Sequence, residues 1–219
     1  MTRTALVATV AAAAIAVSAC QLPPALSAPA PTGGPPAAGD TAVQLAELTV
    51  APRGGDGDYE REAFHHWIEQ GQGCDTRAVA LQRADTVDQH RPCPIKTGAW
   101  TSPYDGATWT RASDVDIDHV VPLAAAWRSG ASGWTDAERE AFANDLDGPQ
   151  LVVVTDNVNQ EKGDKSPDQW KPPETGYWCT YAAMWVQVKA KYRLTVTAAE
   201  VEALNTMLAR CEPTEGSTR

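Results

Sequence analysis

The chain has 219 residues, a formal net charge of −10 and a hydrophobic share of 43%. That length suits one domain around one buried core, and that hydrophobic share excludes disorder over most of it. The acidity argues against a nucleic-acid binder that works through a broad basic face. Eight tryptophans stand against two phenylalanines, an excess read as core anchors.

MTRT followed by ALVATVAAAAIAV pairs a positive charge with an apolar run too short to span a bilayer. Residues 1–19 are therefore read as a signal peptide. The run ends in Val17-Ser18-Ala19-Cys20, which resembles a bacterial lipobox. The resemblance implies cleavage before Cys20 and lipid on its thiol and amine. That would hold the protein on the outer face of the cytoplasmic membrane without a transmembrane helix; without lipid it would be secreted. Residues 20–58 are rich in proline, glycine and alanine and read as a flexible tether, in which TAVQLAELTV could add a short element.

The folded domain is expected over 59–212, with 213–219 a disordered tail. YEREAFHHWIEQ places Phe64, Trp67 and Ile68 at helical spacing and predicts a short helix that ends before Gly71. RAVALQRAD predicts a second. Pro103-Tyr104-Asp105-Gly106 marks a turn between two strand-like runs, so a hairpin is expected. Val115 and Ile117 mark a further strand, and LVVVT (151–155) a buried one. Thr135 and Thr197 each precede a glutamate by three residues, the form of a capping box. Asp156 is placed to cap a short helix and Gly163 to end it. Tyr181, Met184, Trp185, Val188 and Tyr192 lie on one face of a long helix. Few short strands among helices give an α+β class.

Beyond Cys20, four cysteines remain in a chain read as exported, so two disulfides are expected. Three connectivities are open. Cys74–Cys93 and Cys179–Cys211 are favoured because each closes a local loop. No C-x-x-C spacing occurs, which argues against a zinc finger, and a zinc hydrolase would need more His or Cys at one site.

An Asp-His pair such as Asp118-His119 is, alone, an ordinary strand end. Here it is followed by the 151–155 strand and a helix carrying Asn157 and Asn159. In that order DIDHVVPL (116–123) and NQEKGDK (159–165) resemble the ββα-metal core of HNH endonucleases, a pattern also found in the nuclease domain of RNA-guided DNA-cutting enzymes. The chain is similar, more closely, to secreted bacterial HNH proteins related to the GmrSD C-terminal-like group. Those share the CDTR, W-R-S-G-A, F-A-N-D and K-G-D-K blocks at 74–77, 127–131, 142–145 and 162–165. The likeness runs from about Tyr59 to the last helix.

The chemistry such a site needs is a base for water, a cation for developing charge, and positioning. The resemblance implies that His119 is the general base and that Asp118 and Asn159 hold one divalent cation. One carboxylate, one amide and several waters suit Mg²⁺, with Mn²⁺ or Ca²⁺ as alternatives. Asn157 is the other candidate ligand; spacing to the K-G-D block favours Asn159. Lys162, a turn beyond Asn159, is expected to reach a phosphate oxygen. Gln150 stands where many HNH proteins carry an asparagine that steadies the histidine loop.

Asp116, on the same strand face as Asp118, reads as a solvated strand-end carboxylate, with a group that supports the metal ligands as the alternative. His65 and His66, adjacent on a helix, diverge too far to share an ion. Residues 159–193 hold six Lys or Arg and four Asp or Glu, a local surplus that would offset the overall acidity. The reading is an extracytoplasmic, metal-dependent endonuclease acting on DNA, with RNA a second substrate class, with little sequence preference and no obligate protein partner. The alternative is a catalytically inactive envelope lipoprotein that binds a protein partner or nucleic acid.

Overall fold

The computed structural model describes residues 38–211. The signal peptide, Cys20 and the 213–219 tail lie outside the described residues. In chain order the elements are α1 (Ala38–Glu47), α2 (Thr76–Ala84), β1 (Thr97–Thr101), β2 (Thr108–Arg111), β3 (Val115–His119), α3 (Leu123–Arg128), α4 (Asp136–Ala143), β4 (Leu151–Thr155), α5 (Asp156–Lys162), α6 (Trp178–Lys191) and α7 (Ala198–Leu208). Short 3₁₀ turns link several of them. The class is α+β, built on two separate two-stranded antiparallel sheets, β1–β2 and β3–β4.

The β3–β4 hairpin carries the centre of the fold. Val115 faces Thr155 and His119 faces Leu151 across the ladder, and Val120 N–H extends it by donating to the carbonyl of Gln150 at 2.8 Å. Because side chains alternate along a strand, the hairpin sits between two apolar clusters. Val115, Ile117 and Val153 pack with Leu81, Ile95 and Trp100 beneath α2. Val154 joins the larger cluster of Tyr104, Phe142, Tyr181, Trp185 and Leu204. Trp100 and Trp185 are fully buried, as the tryptophan excess suggested.

Local chemistry explains most boundaries. Asp75 caps α2 by accepting from Ala78 N–H at 2.7 Å. Both capping boxes form, Thr135 with Glu138 and Thr197 with Glu200. Gly163 ends α5 at φ 52°, where a side chain would be strained. Asp156 does not cap α5; it is the first helical residue, and Thr155 holds the cap position without a side-chain bond. The turn between β1 and β2 has Gly106 at φ 72°. The two disulfides are Cys74–Cys93 and Cys179–Cys211.

Two further expectations change. The folded body takes in residues 38–58, so the boundary expected at Tyr59 falls inside it. Thr41, Gln44 and Leu45 form the inward face of α1, with Leu48 just past its end, and the helix lies against α6 and α7. Val50 then pairs with Val196. A proline-rich lead-in concealed this apolar stripe in the sequence. Second, 59–70 is not a helix but a single 3₁₀ turn, Arg61–Ala63. Asn144 captures its backbone instead: the amide donates to the carbonyl of His65 at 2.8 Å and accepts from Ile68 N–H at 3.2 Å. Trp67 turns the chain with φ 61°. Phe64 still reaches the core, which satisfies the apolar spacing without a helix.

Candidate active site

His119 is the last residue of β3, and the chain bends at Val120 and Val121 before α3 begins. Its Nε2 lies 2.9 Å from the carbonyl of Ala143 at the end of α4. A carbonyl oxygen only accepts, so Nε2 carries the ring proton and Nδ1 holds the lone pair. The last carbonyls of a helix lack partners within it, so α4 presents this oxygen at its negative end. The indole of Trp67 lies 5.5 Å from the imidazole. Burial pulls the pKa of His119 down to about 3, against an opposing contribution from the Ala143 hydrogen bond. The imidazole is therefore neutral across the physiological range.

Asp118 points to the other face of β3. Its Oδ2 accepts from the Tyr104 hydroxyl at 2.5 Å and its Oδ1 from Lys162 Nζ at 2.8 Å. The same ammonium donates to the carbonyl of His119 at 3.0 Å. Desolvation pushes the Asp118 carboxyl up and the Lys162 ammonium down, and their mutual attraction opposes both shifts. Lys162 is 0% exposed. It therefore does not extend toward solvent, where a phosphate would bind; it ties α5 to the end of β3.

Strand alternation puts Asp116 beside Asp118 on the α5 side. Asn159, three residues before Lys162, donates from Nδ2 to Asp116 Oδ2 at 3.1 Å. Asp116 is thus a partner of the candidate ligand rather than a free solvated carboxylate. Asn159 Oδ1 has no partner among the described residues. Asp118, His119 and Asn159 all line one cavity of about 340 Å³, with Tyr59, Arg61 and Asp164 among its other walls.

This donor set fits a hard divalent cation bound through few protein atoms. A carboxylate offers about four lone-pair sites, two of which Asp118 uses on Tyr104 and Lys162, and the amide oxygen of Asn159 is available. Such a set leaves most of the coordination to water, as Mg²⁺ prefers. Among the described residues there is no group of three or more His, Cys, Asp or Glu side chains arranged to hold a metal.

Gln150 performs a two-ended task. Its Nε2 donates to the carbonyl of Val121 at 2.8 Å, and its Oε1 accepts from Val121 N–H at 3.1 Å. The longer arm thus clamps the chain two residues past His119. Arg77 donates to the carbonyls of Ala112 and Val115 and supports the start of β3. His65 pairs with Glu140 and His66 with the carbonyl of Phe64, so the two histidines do not share a site. The basic surplus of 159–193 is not a surface feature: Lys162 and Lys189 are buried, and Lys191 pairs with Asp145. Sequence reasoning missed Tyr104, Arg61 and the Ala143 carbonyl, which reach the site from loops and a helix end. Only Asp116, two residues before Asp118 on a period-two strand, carried a readable signal.

A family model described as GmrSD restriction endonucleases, C-terminal domain, matches residues 76–207. That span contains β3, β4 and α5. An uncharacterized secreted protein of Arthroderma benhamiae (strain ATCC MYA-4681 / CBS 112371) is 53% identical over 190 residues, covering 85% of this chain and 93% of its own length. No solved structure matches the chain.

Proposed function

Because the chain belongs to the family of GmrSD restriction endonuclease C-terminal domains, we propose that it is an exported, metal-dependent nuclease that hydrolyses phosphodiester bonds with little sequence preference. The observation that supports this is that Asp118, His119 and Asn159, from the end of β3 and from α5, line one cavity. Two disulfides suit an oxidising compartment, and the relative from Arthroderma benhamiae is described as secreted. Both support export.

In this reading His119 Nδ1 takes the proton of the attacking water. The bond from Nε2 to the Ala143 carbonyl fixes the ring and steadies the imidazolium that forms. The ring is unprotonated at neutral pH and so free to accept, and the negative charge of a bound phosphodiester raises the proton affinity that burial lowers. Asp118 and Asn159 would hold a divalent cation, most suitably Mg²⁺, which when bound supplies Lewis acidity at the phosphate. Lys162 and Tyr104 keep the Asp118 carboxylate in place, and Gln150 keeps the bend after His119.

The test is conversion of supercoiled plasmid to nicked and linear forms by the full exported chain. Cleavage with Mg²⁺ or Mn²⁺, abolished by EDTA, is expected. No cleavage with Mg²⁺, Mn²⁺ or Ca²⁺ would leave the binding-only reading.

A further inference from the structure

We propose that Arg61 holds the phosphate of the nucleic-acid substrate in the cavity formed by Asp118, His119 and Asn159. The inference rests on the nuclease reading and adds a residue that the family match, which begins at Thr76, leaves out.

A phosphodiester entering this cavity meets the carboxylates of Asp118 and Asp164 on its walls. It needs a cation that is not already committed. Lys162 is buried against Asp118 and the His119 carbonyl. Arg128 lies 2.8 Å from both Asp56 and Asp164. Arg61 lines the same cavity, is exposed, and makes no side-chain hydrogen bond or ion pair among the described residues. A guanidinium in that situation is suited to grip two phosphate oxygens at once.

Its backbone is held, so it is not a loose surface arginine. Upstream, Gly54 N–H donates to the carbonyl of Arg128 at 2.9 Å, and Arg53 donates to Ser166 Oγ at 2.6 Å. A side chain at Gly54 would come within 2.6 Å of that carbonyl, so this crossing requires glycine. Downstream, Phe64 is fully buried. Between these anchors Arg61 opens a 3₁₀ turn on the wall of the cavity that Asp118, His119 and Asn159 also line.

The experiment compares full-length wild type, Arg61→Gln and Arg61→Lys. Fluorescence anisotropy with a labelled single-stranded oligonucleotide in EDTA, over a salt series, reads binding without cleavage. Steady-state cleavage in Mg²⁺ separates KM from kcat. Arg61→Gln is expected to melt as wild type does, and to bind about tenfold more weakly. Its log–log salt slope should fall by about 0.7, the value of one single-strand phosphate contact. KM should rise with little change in kcat, and Arg61→Lys should recover part of the loss. Unchanged binding and slope in Arg61→Gln, with an active wild type, would overturn the assignment alone. A fall in kcat with KM and slope unchanged would also overturn it. A wild type that neither binds nor cleaves would remove the nuclease reading and this assignment together.

Discussion

Lys162 places its ammonium 2.8 Å from Asp118 Oδ1 and 3.0 Å from the carbonyl of His119, so one buried cation braces two adjacent residues of the site. Both members of the pair are dehydrated, and each needs the other.

Removing one partner leaves an uncompensated buried charge. Lys162→Met should destabilise the fold by roughly 3–5 kcal/mol, whereas the apolar double change Lys162→Met with Asp118→Leu should recover much of that loss. Urea denaturation of the two single variants and the double variant tests this. Equal losses that simply add would contradict a coupled pair. The double variant should fold and remain inactive.

His119 makes stability depend on pH. Its pKa falls from 6.5 in the unfolded chain to about 3 in the fold, so the unfolded state binds more protons between those values. Stability is therefore full above pH 6.5 and is lost as pH falls toward 3, by up to about 5 kcal/mol. Urea midpoints from pH 4 to pH 7 should rise with pH in wild type and rise less steeply in His119→Gln. Parallel slopes would contradict the burial of a neutral imidazole.

Gln150 satisfies both backbone groups of Val121. Gln150→Ala would orphan them, at about 1–3 kcal/mol of stability. If the clamp positions the strand end, kcat falls more than KM, and Gln150→Glu, which keeps only the acceptor, recovers only part. Thermal melts with Michaelis–Menten analysis read both.

The disulfides close loops of 19 and 32 residues. Each should contribute about 3–4 kcal/mol by restricting the unfolded chain, with the longer loop contributing slightly more. Paired Cys→Ala variants, Cys74 with Cys93 and Cys179 with Cys211, should each lower the denaturation midpoint by a corresponding amount. Neither bridge lines the cavity, so cleavage below the transition should persist in both.

Much of this was legible in the sequence because it is local. The capping boxes at Thr135 and Thr197, the turn at Gly106 and the stop at Gly163 depend on residues a few positions apart, and the disulfides join cysteines 19 and 32 positions apart. The candidate site was legible as a motif, Asp118-His119 followed by Asn159, three residues that line one cavity. What stayed hidden depends on distant partners. Residues 59–70 have helical apolar spacing, yet Asn144 takes up their backbone. Lys162 has the composition of a phosphate ligand, and only its burial assigns it to Asp118. Arg61 lies outside any local pattern and reaches the cavity because the segment before it crosses Arg128.

In the proposed mechanism His119 removes the proton from the attacking water. The most direct test of this step is the single-turnover rate of oligonucleotide cleavage by His119→Ala and wild type in saturating Mg²⁺, with binding measured in parallel. A rate lower by about 10²–10⁴ at unchanged affinity is expected. A His119→Ala rate within a few-fold of wild type would contradict it.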